Sequence, residues 1–427
     1  MRKFLFFLSF FLLALISKAQ ISANSGKKYT NLQGIDYVFV FNGITPATEI
    51  TYNGNGTIIN WYKFSDLTTP ISNQPYISPE DATGYTLIVD GVKKNIWVID
   101  YNNNLPVLNS IEAENNPGTQ CHSMNLLINA LINPLVYKSV DGLQYTIQRN
   151  FSINYQTLNW NGTAWQPKDT IVTLTLPKSL ITIPTPYCNT VFTLKGDQIA
   201  TDLGMTLYSV SSTEYVTNAV ICKPTSIVTL RDAKNEAQRP VQASQVDGSA
   251  PLDIQFLSNA NVPVAQFYNW NIYQNNISIV SRTDKDTRYT FNDAGTYKVK
   301  VTVSNNICTY SDSLTITVRT SELYVPNVFT PNGDGVNDEF RVAYTSLLTF
   351  QCWIYNRWGR LVYTWTDPTK GWDGKINGVD AKPGPYFYVI KATGSDFDPN
   401  ATPNPKTHLR IGEYLKRGDI NLLRGVK

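Results

Sequence analysis

Tyr297, Val299, Val301 and Val303 alternate with Lys298, Lys300 and Thr302, so one side of this stretch is apolar and the other polar. An extended strand sends successive side chains to opposite faces, whereas a helix would scatter this pattern around its axis. The alternation returns at Leu314, Ile316 and Val318, at Phe340, Val342 and Tyr344, and at Tyr386, Tyr388 and Ile390. Gly, Asn, Asp and Pro turns separate such stretches at intervals of roughly 8–12 residues, the spacing of β-sandwiches. One segment also fits a helix face, through Leu126, Leu127, Ala130 and Leu131. Asn129, Asn133 and Pro134 oppose a long helix there, so the segment is assigned as strand. The predicted fold class is all-β, in tandem β-sandwich domains.

Length and charge narrow the rest. A chain of 427 residues has room for about three or four domains. The net charge of +3 supplies no basic field for nucleic acid or anionic lipid. Arg2 and Lys3 precede an apolar run from Phe4 to Ile16, followed by Ser17, Lys18 and Ala19. A positive start, a short apolar core and small residues before the cut make a signal peptide over 1–19, cleaved before Gln20. About 13 residues at 1.5 Å each do not cross a ~30 Å hydrocarbon core. No later run is long enough to span, so no membrane span is expected in the mature chain. Export places Cys121, Cys188, Cys222, Cys308 and Cys352 in an oxidising compartment. A Cys121–Cys188 bridge is expected, because closing a loop of about 66 residues contributes on the order of 4 kcal/mol. Cys222 competes as partner for either.

Four units follow the signal peptide. Residues 20–105 hold Ile59-Asn60-Trp61-Tyr62-Lys63-Phe64 and, later, Glu80-Asp81-Ala82-Thr83-Gly84-Tyr85. A Trp on an inner strand, with a Tyr four residues after Asp81, resembles an immunoglobulin-type sandwich, in which the Tyr closes a corner through its hydroxyl. Residues 106–228 form a second immunoglobulin-like β unit with three of the cysteines. Residues 229–319 contain the strand-like runs 249–256, 267–273, 289–306 and 312–318. This order resembles the PKD domain, an immunoglobulin-like extracellular module, most clearly over Phe291–Tyr297. The acidic turn of that family is reduced here to Trp270-Asn271-Ile272.

Residues 320–427 carry Pro326-Asn327-Val328-Phe329-Thr330-Pro331-Asn332-Gly333-Asp334-Gly335-Val336-Asn337-Asp338, then Cys352–Trp365, Gly371-Trp372-Asp373-Gly374, Gly384–Ala392 and Arg417–Leu423. These motifs, in this order, resemble the gliding-motility-associated C-terminal domain of Bacteroidota, the type B signal of type IX secretion. The preceding units are similar to the immunoglobulin-like and PKD modules found ahead of such domains, including Pro186–Gln198. The resemblance implies an exported protein at the cell surface, associated with the outer membrane or extracellular. Its partners would be a type IX translocon, a PorP/SprF-type outer-membrane barrel protein and a large surface adhesin.

Catalytic groups are scarce. His122 and His408 lie in different units, and there is no zinc-binding His-Glu-x-x-His, no Gly-x-Ser-x-Gly elbow and no phosphate loop. The cysteines lack paired Cys-x-x-Cys spacing. Cys121 and His122 are adjacent and point to opposite faces of a strand. The chain is therefore read as a non-enzymatic surface protein, an adhesin or an accessory part of a gliding or adhesin complex. The alternative is a carbohydrate-binding or carbohydrate-degrading protein with immunoglobulin-like and PKD spacers.

Three candidate sites remain. Asn332, Asp334, Asn337 and Asp338 are hard oxygen donors that suit calcium. As an EF-hand the loop would start at Thr330 and end at Arg341, neither of which fits, and an Asn-Gly-Asp-Gly turn also forms without metal. No other cofactor is expected. Trp372 is either a core anchor or an exposed stacking surface. Arg357 and Arg360 flank Trp358-Gly359 at a turn, where they would meet acidic groups on a partner; alternatively Arg357 stays inside the fold, packed on Trp358 or paired with Asp338 or Asp373.

Overall fold

The computed structural model describes residues 21–115 and 120–424. The expected signal peptide lies outside these residues. The chain is almost entirely β, as its alternation predicts, and divides into two compact units. One ends at Thr217, and the other includes Asn218 onward, with the tip Asn159–Gln166 assigned to it.

In the first unit, one five-stranded sheet runs in the order Lys27–Tyr29, Tyr37–Phe41, Val92–Asp100, Thr83–Val89, Ile59–Lys63. A smaller sheet of Ile21–Ala23, Ile50–Tyr52 and Tyr76–Ile77 completes the first sandwich. Phe39, Phe41, Trp61, Tyr85, Leu87, Ile96 and Val98 fill the space between the two. Trp61 is fully buried, and the Tyr85 hydroxyl accepts the Glu80 N–H at 2.9 Å, the corner expected from the sequence. Tyr37–Phe41 pairs in parallel with the end of Val92–Asp100 and is apolar at every position. The reason is burial on both faces, which removes alternation. Val38, Val40, Trp97 and Ile99 turn away from the first core and pack with Leu135, Tyr137, Ile147 and Ile199 of the second module. The two modules thus share a core.

The second module places Leu180–Pro184, Ser123–Leu131 and Val107–Ala113 in one sheet, and Trp165–Thr175, Asn150–Trp160, Thr193–Gly196 and Tyr208–Ser211 in another. Met124, Leu126 and Ile128 face its core while Leu127 faces out, so this segment is a strand.

In the second unit, Thr225–Val228 pairs with Leu252–Leu257. This strand belongs to the third module, and a boundary at 228/229 falls on the wrong side of it. Its Cα partners run from Ile254 to Leu257, well beyond the next turn, and alternation carries no information about pairing. A sheet of Thr225–Val228, Leu252–Leu257 and Thr287–Phe291 faces one of Val246–Gly248, Thr309–Val318, Gly295–Ser304, Phe267–Gln274 and Ile277–Arg282. Trp270 and Tyr297 are buried between them, and the Tyr297 hydroxyl donates to the Asp293 carbonyl at 2.8 Å. The C-terminal domain is built on a sheet ordered Val328–Phe329, Glu413–Leu422, Gly384–Gly394, Leu347–Tyr355, Leu361–Trp365. Here Tyr386 donates to the Lys382 carbonyl at 3.0 Å, the same bond to a carbonyl four residues back that Tyr297 makes.

Backbone bonds join the third module to the C-terminal domain. Ala237 N–H donates to the Tyr344 carbonyl at 2.7 Å and Tyr344 N–H to the Asn235 carbonyl at 3.2 Å. Ser346 N–H donates to Ser249 Oγ at 2.6 Å, and Ala250 N–H to Ser346 Oγ at 3.0 Å.

Candidate partner-binding site

The acidic loop after Phe329 folds on its own carboxylates. Asp338 Oδ1 accepts the N–H groups of Asn332 and Gly333 at 2.9 and 2.7 Å, and Oδ2 accepts that of Gly335 at 2.7 Å. These bonds hold the Asp338 carboxyl below the ordinary range, the Gly333 and Gly335 N–H groups contributing most. Asp334 is similarly committed, one oxygen to Val336 N–H and the other to the Asn332 amide, each at 2.8 Å. Asn337 adopts φ 54° and gives its carbonyl to Thr330 N–H at 2.8 Å. The four residues do come together, but as an N–H-lined turn around an anion. In this arrangement the carboxylate oxygens face backbone and amide N–H groups. Among the described residues no group of three or more His, Cys, Asp or Glu is placed to hold a metal.

Trp372 is in the core, and this corrects its candidacy as a partner contact. It exchanges both backbone bonds with Phe340, at 2.8 and 3.1 Å, which fixes the indole between the sheets with no exposed surface. Its Nε1 donates to the Lys375 carbonyl at 2.7 Å, and its ring meets Tyr386 edge-on at 4.9 Å. The flanking glycines are geometric requirements. A Cβ on Gly371 would lie 2.6 Å from the Phe340 carbonyl oxygen, and Gly374 has φ +75°.

Trp358 is the opposite case, 75 % exposed. Asn356 shapes its turn: the amide oxygen accepts Trp358 N–H and Arg360 N–H, both at 3.0 Å. The Arg357 guanidinium lies 4.2 Å from the centre of the Trp358 ring, a stacked cation–π contact. Neither Arg357 nor Arg360 forms an ion pair among the described residues, so neither is bound to Asp338 or Asp373. A groove of about 430 Å³ opens beside this turn, between Trp358 and the segment 376–386.

Sequence reasoning missed the outward row next to it. Trp353 and Tyr355 alternate with buried Cys352 and Ile354, so they stand on the outer face of the sheet, partly exposed. Tyr355 lies opposite Phe387, which is 44 % exposed. The same period-two rule that gave the core side gives this side too.

The cysteines do not form the expected Cys121–Cys188 bridge. Cys121 and Cys308 each take part in a disulfide, while Cys188, Cys222 and Cys352 are free thiols. Ser123 pairs with Pro184, and Thr185 N–H donates to the His122 carbonyl at 3.1 Å.

Comparisons with known proteins bear on two of the modules. Residues 113–212 match a fibronectin type III domain family. Residues 323–402 match the CHU_C type IX secretion signal domain. A signal domain of this kind implies export, contact with the type IX machinery and a surface or extracellular destination. No curated protein matches the chain. Three fibronectin domains of chicken CNTN1 align at 11 % identity, covering 74 % of this chain and 99 % of that one, with a TM-score of 0.25. The N-terminal four immunoglobulin domains of Dscam1 isoform 8.4 align at 13 %, covering 95 % and 99 %, with a TM-score of 0.20. Three N-terminal domains of the bacteriophage RB49 outer capsid protein Hoc align at 13 %, covering 76 % and 100 %, with a TM-score of 0.20. Scores this low carry no argument about role. No helix among the described residues is long and apolar enough to cross a membrane.

Proposed function

We propose that this is a non-enzymatic cell-surface protein of the type IX pathway, made as a precursor with an N-terminal signal peptide. Its C-terminal domain is the secretion and attachment signal. The modules before it act as an adhesin or as an accessory component of a gliding or adhesin complex. The observation that carries this reading is the match of residues 323–402 to the type IX signal domain. The expected partners are the translocon, a PorP/SprF-type barrel protein and a large surface adhesin. The exposed turn with Arg357, Trp358 and Arg360 is the recognition surface, because turns at sandwich edges stay accessible while strands are committed to the core.

Deleting residues 321–427 tests the signal role. Surface labelling of intact cells is expected to lose the protein, with accumulation in the periplasm. Undiminished protein at the surface rejects the reading. The adhesin role is tested separately, by attachment of cells that lack the protein to the surfaces their parent strain colonises. Unchanged attachment and unchanged gliding remove it.

A further inference from the structure

We infer that the groove beside Trp358 docks an extended polypeptide segment of a partner protein, one that sets a carboxylate next to an apolar side chain. The inference rests on the reading that the C-terminal domain is the part of the chain a partner recognises. The groove is lined by Arg357, Trp358, Val379, Lys382, Pro385 and Tyr386, among others. Trp358 and Val379 are 75 % and 70 % exposed and give the groove an apolar wall.

Charge selects the occupant. Asp380, the one acid in the lining, is answered by Arg424 at 3.3 Å. Arg357 and Lys382 in the lining, and Arg360 two residues after Trp358, have no ion pair among the described residues. The site therefore presents cations with no acid of their own, on an apolar wall. An arginine fork binds a carboxylate through two parallel bonds.

The same geometry disfavours a sugar. Recognition of a glycan needs polar groups free to order its hydroxyls. The Asn356 amide oxygen is spent on two backbone N–H groups, and the Tyr386 hydroxyl on the Lys382 carbonyl. Pro383 and Pro385 bring no N–H. One face of Trp358 already carries Arg357. An extended peptide needs only the apolar wall and the cations.

The test is fluorescence anisotropy of a labelled decapeptide that alternates Glu with Leu and Phe, added to the full exported chain. Binding that weakens with added salt is expected, and Arg357→Glu or Trp358→Ala should each lower the affinity at least about tenfold, the scale of an interface hot spot. Both side chains are exposed, so both variants should keep the parent melting temperature. Equal binding of a peptide with Lys in place of Glu overturns the proposal, as does unchanged affinity in both variants. Tighter binding of oligogalacturonate than of the peptide also overturns it, assigning the groove to an acidic glycan. The same variants are then assayed for surface delivery. Lost peptide binding with intact delivery supports the groove and removes it from the export step. Undiminished delivery of the 321–427 deletion overturns the export reading while leaving the binding result in place.

Discussion

Arg149 Nε meets Asp197 Oδ2 at 2.5 Å in a pocket where their side chains are 2 % and 0 % exposed. Every direction around the pair is answered. Arg149 Nη1 donates to the carbonyls of Asn104 and Asn133 at 2.8 Å each, and the Tyr101 hydroxyl donates to Asp197 Oδ1 at 2.7 Å. One guanidinium thus stitches the end of the first module to the second. Removing one charge strands the other. Asp197→Ala is predicted to destabilise the first unit by about 3–5 kcal/mol, the usual result of breaking a buried pair. Denaturant unfolding measures it, and a loss below about 1 kcal/mol would show the pair to be dispensable.

Alkaline pH tests the tyrosine corners. Burial pushes the Tyr85 and Tyr297 hydroxyls up to about 12, against about 10 in an unfolded chain. A raised folded value means the stabilisation is whole below pH ~10 and is lost as pH rises through about 12. Tyrosinate absorbance should therefore rise late for these residues and together with loss of circular dichroism. At neutral pH, Tyr297→Phe should cost about 1–3 kcal/mol, since the Asp293 carbonyl loses its donor.

Trp372 and Trp358 should respond oppositely to the same substitution. Trp372→Ala opens a cavity among Phe329, Tyr363 and Tyr386 and should cost about 3–5 kcal/mol. Trp358→Ala, at an exposed turn, should stay within about 0.5 kcal/mol. Thermal melts of the two variants decide between core and surface roles.

The acidic loop should ignore calcium and notice acid. Millimolar calcium or its removal by chelator is expected to leave the melting temperature unchanged; a rise with calcium would show that the loop binds the ion. Because the Asp338 carboxyl sits below its ordinary value, its contribution is present above pH ~4 and fades as pH falls further. Asp253, lowered to about 2 mainly by its bond to Arg288, acts in the same direction. Asp338→Ala should lower the melting temperature at pH 7 and flatten its dependence on acid.

Local rules made part of this legible. Tyr297, Val299, Val301 and Val303 announce a half-buried strand, and Asp81 to Tyr85 announces a corner, because both depend on neighbours within a few residues. Trp358-Gly359 and Trp372-Asp373-Gly374 look alike in sequence and diverge in space. What separates them is Phe340, which pairs with Trp372 from a distant part of the chain. The cysteine pairing and the strand Thr225–Val228 were illegible for the same reason. The carboxylates of the acidic loop had a visible composition, but composition does not say whether their oxygens face a cation or the backbone's own N–H groups.

The bonds that tie Asn235 and Ala237 to Tyr344, and Ser249 and Ala250 to Ser346, have a consequence for maturation. A protease cutting between Arg319 and Ser321 would sever the covalent link but leave these contacts holding the two pieces together. Release of the C-terminal domain would then expose buried Ser249 and Ala250 to water on the remaining stump. An address label fastened this way is part of the parcel: a chain whose third module has failed to close lacks the partner groups that steady the segment 343–346, and with them a complete label.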